Sequence, residues 1–222
     1  MTMETPFDVA SALLPYIPVS ARRLLDCACG DGSLSRLIKA RTDVTVAGLA
    51  HDTEAAGAAE TILDQVFPVN LECGELPDIK GPFDCIVCAG LIARLRDPKP
   101  FLTWLALRLS PDGLLLVTAP NLQHFSAVMM IAEGRWTHGG CAALDRRNLR
   151  FFTAYELLRL LRETGFDPRK CLAWHIAPEE DWPLDAEGYY RSGRIALGPL
   201  NDEEYKAFRC EEYLVLATRA KQ

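Results

Sequence analysis

The chain has 222 residues, 49% of them hydrophobic and 24% charged, which is ordinary for one globular domain with a sizeable core. Its net charge of −6 argues against a general nucleic-acid or anionic-membrane binder, which usually shows a basic face. No apolar run approaches the roughly 20 residues that span a bilayer. The start, Met1 to Phe7, lacks a basic segment and carries Glu4, so no signal peptide is expected. The eight cysteines are scattered, as reduced thiols of a cytoplasmic protein would be.

Residues 8–17 predict a short helix over the sheet edge, either plain packing or a lid, broken by Pro15 and Pro18. Leu24 and Leu25 open a first strand over about 23–28. It runs into Asp26-Cys27-Ala28-Cys29-Gly30-Asp31-Gly32, after which Leu34, Leu37 and Ile38 predict a helix over about 32–41. In this strand, turn and helix, Gly30 and Gly32 permit a sharp bend and close approach of a ligand to the backbone. The helix amides then face a crevice of the kind that takes nucleotide cofactors.

Alternate strand residues share a face, so Cys27 and Cys29 are expected to point one way, and Cys85 and Cys88 opposite ways. Both pairs have metal or redox spacings, but small core residues are the favoured reading, and no His/Cys/carboxylate set has a spacing that suits a metal enzyme. Val44 to Leu49 predicts a second strand and 53–63 an alanine-rich helix. Asp52 reads as the cap of that helix. Gln65 to Val69 is a third strand, and Phe83 to Ala89 a fourth, apolar throughout as a central parallel strand should be. Asp97 and Pro98 cap and open a helix over about 98–109. Ser110-Pro111-Asp112-Gly113 reads as a turn before a fifth strand, Leu114 to Asn121.

Residues 121–152 form an excursion, expected above the ligand edge of the sheet. His124 within it is a candidate general base, or else a polar residue flanking a helix. Thr153 and Glu156 predict a capping box before the Leu157, Leu158, Leu160 and Leu161 face of a helix that Gly165 ends. A sixth strand at about 169–176 precedes a proline- and acid-rich flap at about 178–204, read as a hairpin-like connection or a partner-binding segment. Glu211 to Thr218 is the last strand.

Asp26 to Gly32, then Leu109-Ser110-Pro111-Asp112-Gly113 before Leu114-Leu115-Leu116-Val117, then Leu144-Asp145 with Leu149-Arg150-Phe151-Phe152-Thr153, occur in order. This series resembles the class I S-adenosylmethionine-dependent methyltransferases, in particular a bacterial subgroup. The resemblance covers about Arg22 to Thr218. It implies an α/β, Rossmann-like, doubly wound seven-stranded sheet in order 3-2-1-4-5-7-6, strand 7 antiparallel, with helices on both faces. It also implies S-adenosylmethionine as cofactor and S-adenosylhomocysteine as product. Carried onto this chain, Asp26, Ala28, Gly30 and Gly32 meet the cofactor's amino-acid end. Ala50, His51 and Asp52 lie at its ribose, and Asn70 and Leu71 at its adenine. Arg94, Trp136, Asn148 and Arg150 fall on the substrate side. The implied acceptor is a small molecule, glycan or lipid precursor. Four positions depart from the family pattern: Ala28 for glycine, Ala50 for an acidic residue, Ala93-Arg94 for Glu-His, and Asn148 for histidine. The alternative they raise is a degenerate relative, a binding or scaffolding module on the same fold.

Overall fold

The computed structural model describes residues 8–51, 53–71, 76–139, 141–193 and 195–221. Seven strands form the main sheet: β1 (Arg23–Asp26), β2 (Thr45–Ala50), β3 (Gln65–Pro68), β4 (Phe83–Cys88), β5 (Leu109–Pro120), β6 (Phe166–Ile176) and β9 (Cys210–Arg219). A separate hairpin pairs β7 (Tyr190–Ser192) with β8 (Ile195–Leu197). The order in the sheet is β3-β2-β1-β4-β5-β9-β6. β9 is its seventh strand in sequence and runs antiparallel to both β5 and β6, so the expected topology is present.

The parallel strands are buried on both faces because helices cover both. One layer joins Leu24, Val46, Cys85 and Val87 of the sheet to Leu13 of α1 (Val9–Leu13), Leu34 and Ile38 of α2 (Ser33–Arg41), and Ala56 and Ala59 of α3 (Thr53–Ala59). The other joins Leu25, Ile86, Leu115 and Val215 to Phe101, Leu102 and Leu105 of α4 (Pro98–Ala106) and Leu157, Leu160 and Leu161 of α6 (Ala154–Glu163). Alternation along each strand sorts the side chains between the layers. Cys85 and Cys88 accordingly part to opposite layers. Cys27 and Cys29 also part, against expectation: β1 has ended at Asp26, and the turn swings Cys29 under α2. Among the described residues no group of three metal-ligating side chains comes together.

Asp97 accepts a hydrogen bond from Lys99 N (3.1 Å) and Pro98 opens α4, as the sequence predicts. That helix stops at Ala106, and β5 begins at Leu109, earlier than expected. Ser110 to Gly113 is therefore an irregularity inside the strand, where its register with β4 shifts, rather than a turn before it. Thr153 Oγ1 accepts from Glu156 N (3.4 Å), but the Glu156 carboxylate pairs with Arg159 instead of turning back to the cap. The reciprocal capping box stands at α7 (Asp202–Arg209), between Asn201 and Glu204.

Gly48 is what allows the β1 turn to lie against β2. A Cβ there would come within 2.3 Å of Leu63 Cδ2 and 2.8 Å of Cys29 Cβ. Gly48→Ala should cost about 1–3 kcal/mol by overpacking. A lower urea midpoint with an unchanged denaturant slope is the expected reading; an unshifted midpoint would contradict it.

Candidate cofactor site

The turn after β1 hangs between its two neighbours: Cys27 N donates to Val87 O (2.8 Å) and Cys29 N to Leu49 O (3.1 Å). Gly30 and Gly32 hold φ of +50° and +84°, which glycine adopts without strain. A Cβ on Gly30 would meet nothing within 4 Å, so its outer side is open to a ligand. Gly32 is the cap of α2, and its missing side chain leaves room for Ile62 and Leu63, each 3.0 Å from where a Cβ would stand.

Beside the turn, at the C-terminal edge of the parallel strands, lies a cleft of about 370 Å³ lined by Ala28, His51, Val69, Asn70, Leu71, Leu91, Arg94 and Leu95. Apolar walls with a few convergent polar groups, at this size, suit a nucleoside cofactor. Asp26 is 3% exposed, and its Oδ1 accepts from Ala28 N (3.1 Å). Burial pushes its carboxyl up to about 6, against the pull of that amide. His51 is exposed, with Nε2 3.1 Å from Cys27 O.

The sequence candidates divide. Ala28, His51, Asn70, Leu71 and Arg94 share the cleft, and Asp26 is hydrogen-bonded to the backbone of Ala28 behind it. Asp52 lies outside the described residues. Ala50 is 3% exposed and packs in the α2–α3 layer, because β2 extends through it and alternation turns it away from the cleft. His124 is the cap of α5 (Phe125–Ala132): Nδ1 accepts from Ser126 N (3.2 Å), the ring is 5% exposed, and burial lowers its pKa. A ring nitrogen committed to a cap is not poised to take a proton from an acceptor.

Three of the four substrate-side candidates brace the excursion internally or fasten it to the chain instead of lining the cleft. Asn148 Nδ2 donates to Ala142 O (2.9 Å) and Ala143 O (3.1 Å). Arg150 Nε donates to Arg96 O (2.7 Å). Trp136 packs edge-on against Phe151, with ring centroids 5.3 Å apart. The Ala93 carbonyl takes both Leu149 N (2.8 Å) and Arg150 N (2.9 Å), so the Ala93-Arg94 segment fastens the excursion through its backbone.

Glu212 was not singled out from the sequence. It pairs in register with Pro120 at the C-terminal end of β5, and burial raises its carboxyl while His175 and Arg94 pull it down. Arg94, an exposed residue of the cleft wall, feels the charges of Arg147, Asp145 and Glu212 in turn. Only the strand pairing reveals this charged cluster; a glutamate in the last strand carries no local signal.

A doubly wound sheet with an antiparallel seventh strand, a glycine turn after β1 and a nucleoside-sized cleft beside it define a class I S-adenosylmethionine-dependent methyltransferase. Residues 4–170 match the family described as methyltransferase domain, and the chain belongs to that family. Its cofactor is S-adenosylmethionine and its product S-adenosylhomocysteine. Among curated relatives, a ubiquinone biosynthesis O-methyltransferase of Neisseria meningitidis serogroup A is 23% identical over 185 residues, covering 78% of each chain. One from Caulobacter sp. (strain K31) is 32% identical over 152 residues, covering 63% of this chain and 60% of the relative. The solved structure of an S-adenosylmethionine-dependent methyltransferase from Archaeoglobus fulgidus shares the fold at a TM-score of 0.65 and 17% identity, over 95% of this chain and 93% of that one. A possible histamine N-methyltransferase from Thermotoga maritima gives 0.62 and 17%, over 94% and 86%.

Proposed function

We propose that this enzyme methylates a hydroxyl oxygen of a small phenolic acceptor, of the lipid-precursor kind rather than a glycan or a nucleic acid. The observation that carries the reading is Arg94: a cation that lines the cofactor cleft and feels the charge of the Glu212 carboxylate. A phenol oxygen attacks best once its proton is gone. Arg94 favours the phenolate, and Glu212 offers a partly buried carboxylate to the proton. When bound, the cofactor supplies an activated methyl group; the chain supplies position, charge and exclusion of water, which is most of what such a transfer demands. The relatives named as ubiquinone biosynthesis O-methyltransferases support an oxygen acceptor on a quinone-type ring. The net charge of −6 disfavours a nucleic acid. Among the described residues no helix is long and apolar enough to cross a membrane.

Isothermal titration with S-adenosylmethionine and S-adenosylhomocysteine tests the cofactor half of the reading. Micromolar binding of both is expected. Gly30→Val should abolish it, since a β-branched residue at a φ of +50° strains the turn by about 1–3 kcal/mol and fills the open side. Absence of binding at millimolar ligand would return the chain to the scaffold alternative. Label transfer from S-adenosylmethionine to 3,4-dihydroxybenzoate, a soluble catechol probe, tests the acceptor half. No transfer to that probe, with transfer to an amine instead, would overturn it.

A further inference from the structure

The exposed apolar surface of this chain is concentrated on the excursion. Of the nine large hydrophobic side chains exposed among the described residues, four, Ile131, Trp136, Leu149 and Phe151, fall within 131–151. Trp136 stays 47% exposed although its ring packs edge-on against Phe151. Beside these rings stand five exposed arginines, Arg94, Arg96, Arg146, Arg147 and Arg150. They share one surface, because Leu149 N and Arg150 N both donate to Ala93 O and Arg150 Nε donates to Arg96 O (2.7 Å). The acids of segments 94–97 and 145–150 are two: Asp97, which caps α4, and Asp145, which pairs with Arg147 (2.7 Å). The chain's excess of acid lies elsewhere, since residues 179–204 hold eight acidic residues and two arginines. This patch therefore has the opposite sign to the chain that carries it.

We propose that the excursion docks on an anionic lipid bilayer, with Trp136, Leu149 and Phe151 entering the headgroup layer and Arg146, Arg147 and Arg150 meeting lipid phosphates. An indole has an apolar body and one N–H donor, which suits the boundary between headgroups and acyl chains. A guanidinium pairs with phosphate through two N–H groups. Apolar side chains rimmed by such cations gain from both the buried surface and the surface potential. A nucleic acid would satisfy the arginines and stack on the rings, but it would leave the aliphatic Ile131 and Leu149 in water. Arg94 belongs both to this surface and to the cleft wall, so docking sets the cleft close to the lipid. The inference goes beyond the proposed reaction and needs neither the cofactor nor the acceptor assignment.

The test is cosedimentation of the full chain with vesicles of phosphatidylcholine mixed with phosphatidylglycerol, and with vesicles of phosphatidylcholine alone. The wild type should partition onto the mixed vesicles, release in high salt, and bind the neutral ones much more weakly. Its tryptophan emission should shift to shorter wavelength on the mixed vesicles, and Trp136→Phe should remove most of that shift. Trp136→Ser should lower partitioning about tenfold and Arg146→Gln about fivefold. Both side chains are exposed, so the melting temperatures should stay near that of the wild type. No partitioning of the folded wild type, equal partitioning onto both vesicle types, or wild-type partitioning by both variants would each overturn the proposal. Retention of a single-stranded RNA without vesicle binding, or a dimer in sedimentation that ignores vesicles, would overturn it by assigning the patch to another partner.

Discussion

Asp26→Asn should be more stable than the wild type at pH 8 and yet lose most of its cofactor affinity. The native Asp26 carboxyl holds its proton up to about pH 6, against an ordinary value of 3.8. A folded-state pKa raised this way means the native state binds more protons than the unfolded chain between those limits. The stability it confers is full below about pH 4 and is lost as pH rises through about 6. Above that the ionised, buried group costs about 3 kcal/mol relative to its neutral form. Asparagine keeps an oxygen for Ala28 N and never ionises, so most of that cost disappears, less what its own amide N–H groups lose on burial. Thermal melts should put Asp26→Asn several degrees above the wild type at pH 8, with the gap closing by pH 4.5. On the proposal that the Asp26 charge meets the cofactor's amino-acid end, calorimetric titration at pH 8 should show S-adenosylhomocysteine affinity down at least tenfold. A variant that melts below the wild type at pH 8 would show that the carboxylate is stabilising there, contrary to this account. This costly buried charge, bonded to the backbone of Ala28 at the cleft wall, is a local rule that the fold breaks.

The scaffold of this site is legible in the sequence because local signals and long-range packing agree. Leu24 and Leu25 before the glycine turn, the helical spacing of Leu34 and Ile38, and Asp97-Pro98 all stand where the alternation and capping rules put them. The site itself is less legible, for a reason of register. Whether Ala50 or His51 faces the cleft depends on where β2 ends, and a shift of one residue exchanges the two faces. The same end effect parts Cys27 from Cys29. Glu212 stands opposite Pro120 only because β9 pairs antiparallel with β5, a contact between residues far apart in sequence. The candidate histidine, His124, has a polar environment that looks catalytic in one dimension, but in three it is a buried cap beside an indole, its centroid 5.8 Å from that of Trp182.

That indole belongs to a cluster with no sequence period at all. Phe125 is fully buried, and its ring lies 5.1 Å from Trp182, 4.7 Å from Tyr190, 5.1 Å from Phe208 and 6.3 Å from Tyr205, centroid to centroid. Its partners come from the flap and α7, so one residue of α5 anchors the segment that follows β6. Tyr205 Oη donates to Trp182 O (2.8 Å), and Asn121 Nδ2 reaches Ala207 O and Cys210 O at 2.8 Å each, which closes the cluster onto the end of β5. Phe125→Ala should cost about 3–5 kcal/mol, the range for deleting a buried aromatic ring whose neighbours cannot collapse into the space. Hydrogen exchange should rise across the flap and α7 while β1, β4 and β5 stay protected, since those strands are packed by the two main layers and not by this cluster. S-adenosylhomocysteine affinity should hold in the folded variant, because none of the five rings lines the cofactor cleft. Uniform loss of protection across the sheet would mean instead that the flap is part of the main cooperative unit. A selective loss would make the aromatic cluster a separate unit fastened at Phe125, able to vary without disturbing the cleft that binds the cofactor.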